Sequence, residues 1–441
     1  MSTGPMNTGP MNTGPMDGVA ACGCPHDQPS GLSRRRLLGA AGAAAALGVV
    51  GGLVGDTAST RLAFAGTAYT GDVLLVLSLR GGFDGLSAVV PAADPHYAGA
   101  RPGIGIPTGA LLPLGATFGL HPALAPLKPF WDAGSLAAVH AAGQPDPTRS
   151  HFQAMEAMER AAPGASVRTG WLDRVSSAQG AGSAFATVGV GVEANQRALV
   201  GPAPELLMSS VDGFSLPGDD DAGERARWTA ALAAMHRGAR AEIAGPARHT
   251  LAAVGTAAAL QDTAYVVANG AAYPDGDLGD ALRDVARLVK AGVGLRVATV
   301  DFGDWDMHQG LGRPDDGWMA RQLTELGAAL AAFATDLGSD LGRVTVVTIS
   351  EFGRRVRENA SGGLDHGHGN LMLLLGGGVV GGRVHGAWPG LDPAGLLDGD
   401  LPASNDYRTV LAEILEKRCG VAGSTVFPGL GSARIGLAVP R

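Results

Sequence analysis

Five apolar runs, each bounded by glycine or polar residues, mark out the strands of this chain. Asp72–Leu79, Ser135–Ala142, Gly294–Val300, Arg343–Ile349 and Leu371–Leu375 are nearly continuous in hydrophobicity, the pattern of strands buried on both faces of a sheet. Helical spacing fills the gaps. A helix starts near Ser150 and runs through Phe152, Met155 and Met158 to about Ala162. Asp280–Ala291 places Leu282, Val285, Leu288 and Val289 on one side, and Trp318–Leu337 repeats Leu323, Leu326, Leu330 and Phe333. Asp406–Cys419 reads as a last amphipathic helix. Strand–helix–strand alternation with crossover helices calls for an α/β fold, a mostly parallel sheet flanked by helices on both faces. Residues 91–150 are rich in Pro and Gly, and 165–245, with its acidic turn Asp219–Asp221, reads as an irregular central insertion that could cap a site.

The first 65 residues do not share this pattern. Residues 1–18 hold three near-copies of Met-Asn-Thr-Gly-Pro, a low-complexity tract with nothing to pack. Ser33-Arg34-Arg35-Arg36-Leu37-Leu38 then precedes an Ala/Gly-rich apolar run to Val54, and Ala63-Phe64-Ala65 offers a small-x-small cleavage site. Paired arginines before a mildly apolar stretch resemble a twin-arginine signal peptide, so the expected partner is transiently the twin-arginine export machinery, and the expected destination is periplasmic, cell-surface or extracellular. The other reading is a membrane anchor, for which an Ala/Gly run is weak. Cys22 and Cys24 precede the apolar run instead of ending it, which argues against a lipoprotein.

Cleavage after Ala65 would leave Cys419 as the one cysteine, so no internal disulfide is expected and stability must come from the core. Residues 66–441 suffice for one large α/β domain. The net charge of −8 becomes −9 on cleavage, because the segment removed holds four arginines and three aspartates. Such an acidic chain is a poor candidate for binding nucleic acid.

Chemistry-bearing residues gather where strands end. Asp84 follows the first strand; Asp304, Asp306 and His308 follow the third; Glu351 follows the fourth; Asp365, His366 and His368 sit in a glycine-loosened loop before the fifth. In an open parallel sheet these ends share one edge, where ligands bind. Imidazole and carboxylate donors suit zinc, with Mg²⁺, Mn²⁺ or Ca²⁺ as harder alternatives. Each residue also has an ordinary reading: Asp84 capping a turn, Glu351 paired with Arg354, Asp304 solvated. Arg354, Arg355 and Arg357 could fork onto an anion or simply face solvent. Gly376–Gly382 lacks the Lys-Ser/Thr of a phosphate loop and reads as a turn.

Together, Leu79–Leu86 (Leu-Arg-Gly-Gly-Phe-Asp-Gly-Leu), Arg149-Ser-His-Phe152, Trp305-Asp-Met-His308, Ser350-Glu-Phe-Gly-Arg354 and Asp365-His-Gly-His-Gly-Asn370 resemble the exported bacterial DUF1501 proteins, over about residues 70–430. That family is grouped with the alkaline phosphatase–sulfatase superfamily, so the resemblance implies an alkaline phosphatase-like fold and hydrolysis of phosphate or sulfate esters with bound divalent metal. On its pattern, Asp84 matches the metal-binding acid after the first strand. Ser150 matches a nucleophile at a helix start, with Thr148 as fallback and a plain N-cap as the other reading of Ser150. Asp304 or Asp306 with His308, and His366 or His368, match the later ligands; Arg149 and Arg354 are candidate substrate-binding residues. Glu351-Phe352 stands where Asp-His is usual, which removes an imidazole from a second metal site. Asp84, Glu351 and Asp365 could still hold a harder cation. The expected function is an exported metal-dependent hydrolase acting on a small anionic ester or polymer. The rival is a non-catalytic secreted binding or assembly protein that keeps the fold and one structural metal.

Overall fold

Alternation along the first strand sorts the core into two layers. In the computed structural model, which describes residues 69–441 apart from 192–195, 217, 219 and 220, β1 (Val73–Leu79) is buried at all seven positions. Val73, Leu75, Leu77 and Leu79 enter one hydrophobic cluster, and Leu74 and Val76 enter another. Successive side chains of a strand point to opposite faces, so this split requires cover on both sides of the sheet. Each fully buried leucine or valine contributes about 1.5–3 kcal/mol of transfer free energy. The leader, its arginines, Cys22, Cys24, the cleavage site after Ala65 and most of the acidic turn lie outside the described residues.

The central sheet has nine strands. Beyond β1 they are β2 (Leu136–Gly143), β3 (Thr187–Val190), β4 (Leu206–Met208), β5 (Val297–Phe302), β6 (Val344–Ile349), β7 (Asn370–Gly376), β8 (Val384–His385) and β9 (Asn405–Asp406). Their order is β8-β2-β7-β6-β1-β5-β3-β4, with β9 paired to β2. β1 runs parallel to β5 and β6, with Leu79 beside Phe302 and Ser78 beside Ile349. β7 alone runs against its neighbours, antiparallel to both β2 and β6. The link from β6 to β7 contains no helix, so it returns the chain at the same edge instead of crossing over. That reversal decides the site, because the loop before β7 opens at the edge where β1, β2, β5 and β6 end. A smaller sheet of three short strands lies outside this one.

The face lined by Leu75 and Leu77 is covered by α5 (Asp277–Lys290) and α6 (Trp318–Leu337), whose Leu282, Val285, Leu323 and Leu326 are fully buried. The other face carries α1 (His151–Arg160), α2 (Trp171–Gln179) and α7 (Tyr407–Ile414). Here Met158, Trp171, Val410 and Leu411 pack in one cluster.

The expected strands and helices form within a few residues of their anticipated bounds, and the chain is α/β with a mixed, mostly parallel sheet. One expectation fails. The stretch 165–245 is not an irregular insertion, because it supplies α2, β3, β4 and α3 (Ala222–Met235), and two of these elements extend the main sheet. β3 and β4 have four and three residues, too short for a recognisable run. α4 (Ala241–Gln261), alanine-rich and interrupted by Pro246, likewise carries little periodic signal. Among the described residues no helix is long and apolar enough to cross a membrane.

Candidate metal centre

Four chain segments meet at the carboxyl edge. The loop after β2 leads into α1 and places His151 at its first turn. The loop after β5 carries Asp306 and His308, the end of β6 gives Glu351, and the loop before β7 gives Asp365 and His366. Backbone bonding folds this last loop tightly onto the segment after β6. Gly353 N donates to His368 O at 2.8 Å, Gly367 N to Gly353 O at 2.8 Å and Arg355 N to Asp365 O at 3.0 Å. A side chain at position 353 is excluded, since its Cβ would lie 2.0 Å from Gly369 O.

The His366 ring stands between two other imidazoles. His366 Nε2 lies 3.0 Å from His151 Nε2 and 2.9 Å from His308 Nε2. Asp306 joins them, with Oδ1 3.1 Å from His308 Nε2 and 3.3 Å from His366 Nε2, and Oδ2 3.5 Å from His151 Nε2. Donors about 2.0–2.1 Å from a tetrahedral zinc stand roughly 3.3–3.4 Å apart, so these spacings are close to those of a shared cation. His151, Asp306 and His366 form a candidate metal-binding triad, and His308 Nε2 flanks it on the His366 and Asp306 side.

The opposite ring nitrogens fix the tautomers. His151 Nδ1 faces Glu351 Oε1 at 2.8 Å, His308 Nδ1 faces Asp365 Oδ1 at 3.2 Å, and His366 Nδ1 faces the Arg149 carbonyl at 2.8 Å. Each of these partners is an acceptor, so the tautomer with the proton on Nδ1 satisfies all three and leaves Nε2 open to a cation, while Asp306 offers an acceptor on the Nε2 side when no cation is bound. A neutral ring then presents only a lone pair at Nε2. Lone pairs of His366 and its two neighbouring rings, set beside the Asp306 carboxylate, repel one another until a proton or metal ion lies between them, and carboxylate or carbonyl partners on the far nitrogen are how metal-binding histidines are oriented.

The electrostatics follow from the same contacts. Glu351 is buried, which opposes its charge, but the His151 ring and backbone amides, including Gly81 N at 2.9 Å, outweigh burial and hold its carboxyl below the usual range. The hydrogen bond that His151 donates to Glu351 in turn raises His151. Burial lowers His366. Desolvation works against an ionised Asp306, but Arg354 Nη2 at 2.6 Å prevails and keeps the carboxyl low.

A pH dependence follows. His151 has a raised pKa, so in the metal-free protein its ion pair with Glu351 contributes fully below the ordinary imidazole value and is lost as pH rises through the raised one. A metal must displace that proton, so its affinity falls as pH drops through the same range. Glu351→Gln should weaken metal binding at pH 8 by about 10–100-fold and shift the midpoint of acid-induced metal release downward, because His151 then holds its proton less tightly. Isothermal titration with zinc from pH 5 to 8 checks this, and an unchanged midpoint in the variant would remove Glu351 from the site.

The other expected site residues have different work. Asp84 is not part of the cluster: it is buried and clamped by Arg101 through Nη1–Oδ2 at 2.5 Å and Nη2–Oδ1 at 2.9 Å. Burial resists its charge, but the guanidinium overrides burial and keeps its carboxyl low. Arg101 lies in the Pro/Gly-rich segment, where no pattern announces it. Asp304 is exposed at a left-handed φ of 64° and stays outside the ligand set. His368 is buried with Nε2 2.8 Å from the Gln144 carbonyl, so it braces the loop after β2. Glu351 and Asp365 hold histidines and stand behind the donors.

Arg354 has no free edge for a substrate. It is buried and donates to the carbonyls of Gly81, Gly82, Leu364 and Trp305 as well as to Asp306. Arg149 is committed in part to Asp400. Thr148 Oγ1 donates to Gln153 Oε1 at 3.0 Å. Ser150 is the N-cap residue of α1 by backbone position, but its hydroxyl makes no capping bond. His151 was not among the expected ligands. The available signal was its place in Arg149-Ser-His-Phe152, one residue beyond the helix start.

A family model described as "Protein of unknown function (DUF1501)" matches residues 132–398, a span that contains His151, Asp306, His308, Glu351, Asp365 and His366. No curated protein matches the chain.

Proposed function

The chain belongs to the DUF1501 family, and we propose that this member is an exported metal-dependent hydrolase of phosphate or sulfate esters, with zinc as its metal, on an alkaline phosphatase-like scaffold. The observation that carries this reading is the meeting of His151, His366 and the Asp306 carboxylate, with His308 beside them, at the carboxyl edge of the sheet. His151, His308, His366 and Asp306 would hold the ion. When bound, such an ion polarises an ester oxygen and stabilises the charge that develops during attack. Glu351, Asp365 and the Arg149 carbonyl keep the three rings in the metal-binding tautomer. Ser150, uncapped and adjacent to His151, supplies the attacking hydroxyl. Its Oγ forms the bond to phosphorus or sulfur as the alcohol departs, and water then releases the anion.

A second reading has its own support. Four protein donors can close a tetrahedral shell, as structural zinc sites do, and Arg354 is fully engaged in the fold. On that reading the protein binds or assembles without turnover.

Elemental analysis and an ester screen separate the two. The hydrolase reading expects about one zinc per chain by the single-centre argument, hydrolysis of aryl phosphate or sulfate esters, and a Ser150→Ala variant that keeps its metal while kcat falls by about 10³-fold or more. Full metal content with no turnover on any ester would leave the binding protein. Absence of metal uptake would overturn both.

A further inference from the structure

Two arginines beside the metal centre share one buried carboxylate and each keep one edge free. Asp400 is 2 % exposed. Arg149 donates from Nε (3.0 Å) and Nη2 (2.5 Å) to Asp400 Oδ2, and Arg355 Nε lies 3.2 Å from Asp400 Oδ1 as an ion pair without hydrogen-bond geometry. Arg355 Nη2 also donates to the Asp398 carbonyl. Nη1 of each has no protein partner among the described residues, and the two side chains are 46 % and 38 % exposed. A guanidinium held at one edge by a buried carboxylate loses rotamer freedom before any ligand arrives, and a planar fork suits an oxyanion.

The backbone of each adjoins the proposed metal centre. Arg149 accepts from His366 Nδ1 through its own carbonyl and precedes His151 by two residues. Arg355 follows Arg354, which bonds Asp306, and its own N–H donates to the carbonyl of Asp365, the partner of His308. The local charge balance matters here. Counted with the histidines neutral, Asp306, Glu351, Asp365 and Asp400 set four negative charges against the three positive charges of Arg149, Arg354 and Arg355. One net negative charge remains, and a divalent cation turns it into one net positive.

We propose that Arg149 and Arg355, held by Asp400, form the binding site for the oxyanion head of the substrate, and that this site attracts an anion only once the metal is in place. The inference rests on the metal-site reading above and names the substrate-recognition residues of that site.

The test uses binding, so it does not depend on finding a substrate. Zinc-loaded and zinc-free protein are titrated calorimetrically with inorganic phosphate and with sulfate. Expected are affinity at least tenfold tighter in the zinc-loaded protein, and a loss of about tenfold or more in Arg149→Gln and in Arg355→Gln, each with unchanged zinc content. Arg357→Gln, an exposed position in the same segment, should bind as the parent does. Each single variant leaves Asp400 one guanidinium; if neither folds, Arg149→Lys and Arg355→Lys keep the charge and remove the fork, and the same loss is expected. Equal anion affinity with and without zinc, or in parent and variants, overturns the proposal while zinc content upholds the metal centre. Failure to take up zinc, read separately, overturns the metal reading and this site with it.

Discussion

His366→Ala is expected to abolish stoichiometric metal binding. Its Nε2 lies within 3.0 Å of both other imidazole Nε2 atoms, so the ring is the common neighbour of the donor set. Losing an outer partner of a metal ligand costs roughly 10–100-fold in affinity, and losing this ligand should cost more. The effect reaches stability as well as chemistry, because an ion that binds only the folded state stabilises it by about 4 kcal/mol when its free concentration is a thousand times Kd. Zinc should therefore raise the unfolding temperature of the parent by several degrees and leave that of His366→Ala unchanged. Glu351→Gln should fall between them. Without metal, the variant should fold as well as the parent or slightly better, since one of the facing lone pairs is gone. Metal content and thermal scans with and without chelator decide the matter. Equal zinc-induced stabilisation of parent and variant would place the ion elsewhere.

Arg354→Ala is expected to have the largest effect on folding. The side chain is 2 % exposed and joins three segments: the loop after β1 through Gly81 and Gly82, the loop after β5 through Trp305 and Asp306, and the loop before β7 through Leu364. Truncation removes one partner from an ion pair and leaves four carbonyls short of a donor. Asp306 is half-exposed, so the ion pair itself is screened and worth little; buried carbonyls deprived of the guanidinium, at about 1–3 kcal/mol each where no other donor replaces it, carry the effect, against a total stability of about 5–15 kcal/mol for a folded protein. Arg354→Lys should recover little, because one ammonium cannot reach donors' positions set by a planar fork. Urea denaturation of both variants in chelator measures the effect apart from metal. A loss under about 1 kcal/mol for Arg354→Ala would show that water replaces the guanidinium, and it would free the residue for the substrate-binding role that its position after a strand suggested.

The difference between these two residues marks where sequence reading stops. Both His366 and Arg354 were recognisable as chemistry-bearing groups at strand ends, and both sit in motifs of the DUF1501 family. Nothing local distinguishes a ligand from a brace. Asp84 illustrates the same point, since an acid after the first strand becomes a neutralised ion pair through Arg101, seventeen residues away in an aperiodic segment. His151 and Glu351 are two hundred residues apart and bond at 2.8 Å. His366 and His368 are two residues apart, yet one faces the donor cluster and the other braces the loop after β2. The short strands β3 and β4 were missed because three or four residues carry too little periodicity to stand out from turns.

The sequence by itself determined the α/β class, the long buried strands, the helices with strong apolar stripes and the clustering of acids and histidines at strand ends. Those features follow from side-chain period and burial, which are local. Only the tertiary structure decided that β7 runs antiparallel, so that its leading loop opens at the edge where β1, β2, β5 and β6 end. Only it decided which polar groups are spent on one another. Pairing of buried charges depends on distances between remote segments, so Asp84 is closed off by one guanidinium whereas Asp306 meets Arg354 and still faces the imidazoles.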